Sequence, residues 1–212
     1  GDVLYSINTS QKIKRYIMKN NVSLKILEKI RDNFFINGMV HKYEKNVNIY
    51  LNGDYEKSDS LQICRTIKAI NKFSKNINFS LHLLSEKNAD AGIFFNFKKV
   101  VLQDKPVVIG TDTYMGGETM FHRRYKNVVN LNYIANDESK KIKETKIIET
   151  IYQCIGPYEM DDLKGLYIEK NNEIIFGEEY KELLSFFYSD EFAEGYTDKE
   201  FGQLISQPLN TT

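Results

Sequence analysis

The sequence predicts an α+β fold, in which a twisted mixed β-sheet carries two main helices packed on one face, with N-terminal helices and a C-terminal helix added. Segments that alternate apolar and polar residues indicate half-buried strands, whereas apolar residues at every third or fourth position indicate amphipathic helices. Along the chain these segments occur in the order β-α-β-β-edge-β-α. Because consecutive elements are usually neighbours in space, this order favours one covered sheet over an all-helical bundle or a sandwich.

The first part of the chain precedes this pattern. Residues 8–36 predict two short amphipathic helices, and Ser23 is positioned as the N-cap of the second. We therefore assign residues 1–45 as an N-terminal helical extension that packs on the main body. Residues 46–212 are assigned as the main domain, a single compact body, because no internal repeat or interdomain linker divides them.

The first half of the main domain predicts a β-α-β-β unit. The segment 47–51 alternates and ends at an Asn-Gly-Asp turn, which is typical of a core strand. A helix is predicted over residues 58–75. Its expected buried stripe consists of Leu61, Cys64, Ile67, Ile70 and Phe73. Two further strands are expected at 79–83 and 92–97.

The second half predicts the remainder of the sheet and the second main helix. An edge strand is expected within residues 107–124, and a clearly alternating strand follows at 129–134. A lysine-rich helix is predicted over residues 138–155, and a Gly-Pro pair ends it. Its expected buried face consists of Ile142, Thr145, Ile148, Ile151, Tyr152 and Ile155. A last strong helix is predicted around 180–188, followed by a weak terminal segment.

The charge balance and hydropathy of the chain exclude several classes of partner. The 212 residues carry 29 basic and 29 acidic side chains, so no broad cationic surface for nucleic acid is indicated. No segment approaches the ~18 apolar residues that a membrane-spanning helix requires. The lysines of residues 138–146 are interleaved with glutamates, which is typical of a solvated helix face rather than a polyanion site.

The cysteines and histidines of the chain do not have the spacing of a zinc site. Cys64 and Cys154 are far apart, which excludes a Cys-x-x-Cys ribbon or dithiol. Two interpretations of the cysteines stay open: separate thiols, or a disulfide if their helices lie side by side in an oxidising compartment. His41, His82 and His122 have no second His or Cys at ligand spacing. The nucleophile elbow, the P-loop and the dinucleotide fingerprint are also missing.

One group of polar residues remains, at the end of the helix predicted over 138–155. Glu149 and Gln153 lie four residues apart on one helical face, the chain then turns at a glycine, and Glu159 follows three residues later. This is the spacing of the metzincin zinc peptidase pattern H-E-x-x-H-x-x-G-x-x-H. The three ligand positions here hold oxygen donors, and Thr150 occupies the position of the general base. The pattern therefore indicates a degenerate metal site at which zinc is not expected.

Residues from about 45 to 200 also resemble a large family of uncharacterised, mostly exported bacterial proteins, the domain-of-unknown-function family numbered 2927. The motif of that family reads about E-E-x-x-Q-x-L-G, and residues 153–156 match its second half, while Thr150 replaces its second glutamate. Three later segments are similar in the same order, at 174–176, 183–190 and 194–197. The resemblance implies a zincin-like, specifically metzincin-like, fold and a secreted, periplasmic or cell-envelope location.

These observations favour a pseudo-enzyme, an exported or cell-envelope protein whose metalloprotease-like fold has lost its zinc site. Such a protein is expected to need no cofactor and to bind a protein or peptide segment in the former substrate cleft, through Glu149, Gln153 and Glu159. One alternative is a hydrolase in which these residues, with Asp161 or Asp162, bind a hard cation such as Ca²⁺ through oxygen. Another alternative is a structural domain of a surface assembly. The oligomeric state stays open.

Overall fold

A computed structural model of the chain describes residues 2–43, 46–82, 92–98, 106–109, 112–115, 119–124, 127–135, 140–156 and 166–208. The helices in these residues are α1 (Asp2–Asn20), α2 (Leu24–Asn33), α3 (Lys57–Phe73), α4 (Lys140–Ile155), α5 (Glu178–Phe187) and α6 (Asp198–Ser206). The strands are β1 (Phe35–Ile36), β2 (Met39–Val40), β3 (Asn46–Gly53), β4 (Asn78–His82), β5 (Gly92–Lys98), β6 (Pro106–Ile109), β7 (Asp112–Met115), β8 (Thr119–Arg124), β9 (Asn127–Ala135), β10 (Tyr167–Lys170) and β11 (Glu173–Phe176). The α+β class predicted from the sequence is confirmed.

Within the described residues, the main sheet has five strands in the order β4-β3-β5-β9-β8. Strand β3 pairs in parallel with β4 and β5, and β5 pairs in parallel with β9. Strand β8 runs antiparallel to β9, with Phe121 opposite Asn130. The edge strand expected within residues 107–124 is therefore β8. The segment before it forms a separate antiparallel hairpin of β6 and β7.

Helices α3 and α4 cover one side of this sheet. They contact each other, and α3 contacts β4 while α4 contacts β9. Alternate residues of β3 and β5 are buried, because residues two apart on a strand share a face. These residues are Val47, Ile49 and Leu51 from β3 and Ile93, Phe95 and Phe97 from β5. The β10–β11 hairpin packs on α3 through β11.

The buried faces of α3 and α4 differ from the predicted stripes. Leu61 and Cys64 on α3 and Ile142 on α4 were expected inside and are exposed. The residues of α3 that are buried are Asp59, Gln62, Ile63, Thr66, Ile67, Ala69 and Ile70. A step of three residues falls about 60° short of a full turn at 3.6 residues per turn, so repeated steps of three wind around the helix. The buried stripe of an α-helix therefore combines steps of three residues with steps of four.

The N-terminal and C-terminal helices form a second layer of the same body. Helices α1 and α2 pack on α6, and α2 also packs on α5. Ser23 caps α2 by accepting the N–H of Ile26, as the sequence predicted. The core of this layer is a group of aromatic rings in mutual contact, namely Phe34, Phe35, Phe186, Phe187, Phe192 and Phe201. Residues 2–43 therefore contribute to one continuous hydrophobic core with the main domain.

Two helices in this layer differ from the prediction. Helix α1 begins at Asp2 rather than near residue 8. Helix α6 replaces the expected weak terminal segment, and Thr197 caps it by accepting the N–H of Glu200 and donating its hydroxyl to the Glu200 carboxylate. The Thr-x-x-Glu spacing of a capping box was a usable signal for this helix. None of the helices in the described ranges combines the length and apolar character needed to cross a membrane.

Candidate functional site

The predicted site begins on the C-terminal half of α4. Glu149 is partly exposed there, whereas Thr150 is only 3% exposed. Gln153 belongs to the same helix, but its side chain lies outside the part that the structure describes, and Glu159 lies outside the described residues altogether. The structure thus places Glu149 and Thr150. The convergence of Glu149, Gln153 and Glu159 on one point stays a prediction.

The other candidate metal and thiol residues are spread over the fold. Within the described ranges, no three His, Cys, Asp or Glu side chains are grouped as a metal site would require. Asp161 and Asp162, the further ligands of the calcium alternative, lie outside those ranges. His41 follows β2, and His82 and His122 belong to different strands, β4 and β8.

The two cysteines are in the thiol form. Cys64 is exposed on α3 and Cys154 is buried on α4. The structure thus contains separate thiols, one of the two states that the sequence left open, and no disulfide joins these two residues.

Gly156 ends α4, and two features of the structure require glycine there. Its φ of +111° is a backbone conformation that L-residues rarely adopt. A Cβ at this position would lie 2.5 Å from Cε1 of Phe34, which is closer than van der Waals contact allows. The sequence predicted the first reason, because glycine commonly ends helices. The close approach of the Phe34 ring could not be predicted, because Phe34 lies at the end of α2, far from Gly156 in the sequence.

The carboxyl end of α4 is held by two tyrosines of the α5 region. The Tyr188 hydroxyl donates to the Ile155 carbonyl at 2.7 Å, and the Tyr180 hydroxyl donates to the Gly156 carbonyl at 3.2 Å. The last carbonyls of a helix have no partner within the helix, so these two buried bonds satisfy groups that water cannot reach. The candidate site is therefore built on a helix end with a fixed position.

Replacing Tyr188 with phenylalanine is expected to lower the free energy of unfolding by about 2 kcal/mol, because the buried Ile155 carbonyl loses its donor. Urea denaturation of the variant and the wild type measures the difference. Tyr5→Phe is the matched control: Tyr5 is 53% exposed and its hydroxyl only reaches the Glu194 carbonyl at 3.5 Å. This control should change stability by less than about 0.5 kcal/mol. Equal stability of both variants would contradict the assigned role of Tyr188.

Two tyrosines near Glu149 have a raised pKa. Burial, followed by the Glu149 carboxylate, raises the pKa of the Tyr152 hydroxyl, and the same causes in the same order raise the pKa of Tyr167 on β10. Tyr152 is 1% exposed, and among the described residues its hydroxyl has no hydrogen-bond partner. Both phenols therefore hold their protons more firmly than an exposed tyrosine does, and Glu149 supplies negative potential.

A buried ion pair joins the first turns of α3 and α4, which sequence reasoning missed. Nζ of Lys143 lies 2.9 Å from Oδ2 of Asp59, and both side chains are almost fully buried. The same Nζ lies 5.2 Å from the ring centroid of Phe97 on β5. The interpretation of residues 138–146 as a solvated lysine face is therefore wrong for Lys143. Its partner is on another helix, so no spacing within the segment could indicate the pair.

Comparison with family models, with curated proteins and with solved structures gives no match to this chain. The resemblance to family 2927 and to the metzincins rests on the sequence motifs and the order of elements, and it stays a prediction.

Proposed function

We propose that this chain is an exported or cell-envelope protein with a metzincin-like fold that has no zinc peptidase activity and binds an extended protein segment. The cleft that we assign to this segment lies between α4 and the edge strand β8. The proposal of export follows the resemblance to family 2927, whereas the cleft follows the arrangement of the sheet.

The observation that carries this proposal is the order and direction of the five strands. Strand β9, which leads into α4, lies between a parallel neighbour, β5, and the antiparallel edge strand β8. Helix α4 contacts β9 as well. The arrangement agrees with the β-α-β-β-edge-β-α order on which the metzincin resemblance depends. A segment paired with β8 would lie two strand positions from β9, the strand that α4 contacts.

The absence of peptidase chemistry is proposed from the residue at the base position. In the metzincin pattern a glutamate takes a proton from a zinc-bound water. Thr150 cannot do this at neutral pH, since a hydroxyl is a far weaker base than a carboxylate. Its side chain is also buried, so it does not present its oxygen to solvent.

Binding of an extended segment is proposed from the outer side of the edge strand. One side of β8 pairs with β9, and within the described residues no strand pairs with the other side. An edge of this kind offers a row of backbone N–H and C=O groups that a partner strand can join. Glu149 would add a negative charge for a lysine or arginine of that segment.

The test uses one probe, unfolded fluorescein-labelled casein, with binding and cleavage measured separately. We expect fluorescence anisotropy to show binding, and gel electrophoresis to show no cleavage above background with or without added zinc. Metal analysis of the purified protein should show less than one equivalent of zinc. Zinc-dependent cleavage would contradict the proposed loss of peptidase activity. Absence of casein binding would contradict the proposed binding of an extended segment.

Two proline variants of β8 sharpen this test. Successive residues of a strand direct their N–H groups to opposite sides, so one of Met120 and Phe121 directs its N–H toward β9 and the other away from it. One of Met120→Pro and Phe121→Pro should therefore destabilise the sheet, and the other should keep the wild-type melting temperature. We expect the stable variant to lose casein binding. Unchanged binding by that variant would show that the segment does not pair with β8.

A further inference from the structure

A second candidate binding surface lies between α3, the first turns of α4 and the β10–β11 hairpin. The groove has a volume of about 740 Å³. Its charged lining residues are Arg65, Lys140, Lys141, Lys170, Glu144 and Glu169. Among the described residues that line the groove, four cations therefore face two carboxylates, although the whole chain has a formal net charge of zero.

Arg65 is held in this groove by a neutral group. Its Nε and Nη2 donate to Oε1 of Gln62 at 3.0 and 2.5 Å. Gln62 is fully buried, and its amide nitrogen lies 3.4 Å from both the Glu144 carbonyl and Oε1 of Glu169. Gln62 thus holds the Arg65 guanidinium in position with two of its five N–H donors. The other three donors are not used by Gln62. A fixed guanidinium of this kind suits a planar oxyanion, which it can bind through two parallel hydrogen bonds.

The other cations of the groove are weakly neutralised. Nζ of Lys140 lies 3.9 Å from Oε1 of Glu144, with the lysine side chain 77% exposed. In the part of the chain that the structure describes, no ion pair involves Arg65, Lys141 or Lys170. Among the described lining residues, the positive charges of the groove therefore outnumber its carboxylates.

A smaller hollow of about 60 Å³ continues the groove past Arg65 and brings in Lys68 and Lys72. These three residues share one face of α3 through their spacing of three and four positions. Glu173 of β11 lies beside them, 4.0 Å from Nζ of Lys72. We call the combined surface the basic groove, formed by Arg65, Lys68, Lys72, Lys140, Lys141 and Lys170. Like charges at this spacing repel one another, so a bound anion would relieve a cost that the free protein carries.

We propose that the basic groove binds an extended acidic segment of a partner protein through its carboxylates. Acidic side chains spaced along a peptide can pair with separate cations and leave gaps opposite Glu144, Glu169 and Glu173. A nucleic acid carries a phosphate at every nucleotide and would meet those carboxylates. The cations from Arg65 to Lys72 span about 10 Å of helix, which matches three or four extended residues.

This inference is independent of the function proposed for β8. The residues of the basic groove belong to α3, α4 and the β10–β11 hairpin, and none belongs to β8. Failure of one proposal therefore leaves the other standing.

The test uses the full chain and a fluorescein-labelled peptide of about twelve residues in which aspartate alternates with serine. Fluorescence anisotropy at about 20 mM salt measures binding, which should weaken as salt rises. The variant Arg65→Gln with Lys170→Gln is expected to bind about tenfold more weakly. The matched control is Arg15→Gln with Lys199→Gln, which also removes two positive charges, from exposed positions on α1 and α6. The control should stay within about twofold of wild type.

Three results would overturn the proposal: no binding of the acidic peptide to the wild type, equal weakening in both double variants, or tighter binding of a single-stranded DNA of equal length that depends on the same two residues. Circular dichroism melting checks that both variants fold. If Arg65→Gln disturbs folding through Gln62, then Lys141→Gln with Lys170→Gln, both at exposed positions, replaces it. The same weakening is expected of that variant, and wild-type affinity would overturn the proposal.

Discussion

Replacing Gly156 with alanine is expected to destabilise the protein by about 4 kcal/mol. Part of this cost comes from the backbone, because a φ of +111° is strained for any residue with a Cβ. The remainder comes from overpacking, since the new methyl group would lie 2.5 Å from the ring of Phe34, which is itself fully buried. Urea denaturation followed by circular dichroism gives the free energy of unfolding of the variant and the wild type.

Gly202→Ala is the matched control for this prediction. Gly202 lies inside α6 and a Cβ there would meet no atom within 4 Å, so alanine should stabilise the helix by roughly 0.5–1 kcal/mol. A double variant separates the two causes. In a Phe34→Leu background, Gly156→Ala should cost only the backbone part, about half of its effect in the wild type. If the two substitutions add fully, the ring of Phe34 is not what excludes a side chain at Gly156.

The parts of the fold that could be predicted are those in which the signal lies within a few residues. Strand β3 follows from the alternation at 47–51, and the cap of α2 follows from Ser23 placed before an apolar run. The end of α4 at Gly156 follows from the Gly-Pro pair. In each case a local period or a capping group decides the structure, and tertiary packing agrees with it.

The parts that could not be predicted depend on partners distant in sequence. The stripe expected on α3 placed Leu61 and Cys64 inside, but the neighbours of α3 include α4 and β11, which bury the face centred on Ile63 and Ile70 instead. The lysine-rich start of α4 looked uniformly solvated. Lys143 is buried because Asp59 lies opposite it, and periodicity carries no information about such a partner.

The candidate site could also be predicted only in part. The motif located it at the end of α4, where Glu149 is partly exposed and Thr150 is buried. The tyrosines that hold this helix end, Tyr180 and Tyr188, come from the region after β11, and the motif alone does not indicate them. The basic groove was missed for a related reason. Its cations come from three separate segments, and the lysine-rich segment at the start of α4 also carries glutamates, which indicated a solvated face.

Replacing Lys143 with methionine is expected to destabilise the protein by about 3–5 kcal/mol. Methionine fills a similar volume, so the loss comes mainly from leaving the Asp59 carboxylate buried without its ion-pair partner. The contact of the Lys143 ammonium with the ring of Phe97 is lost as well and adds a smaller part. Thermal and urea denaturation of the variant and the wild type measure the change.

The double variant Lys143→Met with Asp59→Asn tests this explanation. Asparagine removes the charge but keeps an oxygen that can accept the N–H of Glu56, which Asp59 accepts at 2.7 Å at the start of α3. The double variant should therefore regain at least half of the lost stability, since no unpaired charge stays buried. Lys140→Met is the control: this lysine lies one turn earlier on α4, is largely exposed, and should cost less than about 0.5 kcal/mol. A double variant no more stable than Lys143→Met would show that packing of the lysine stem, and not the stranded carboxylate, dominates the cost.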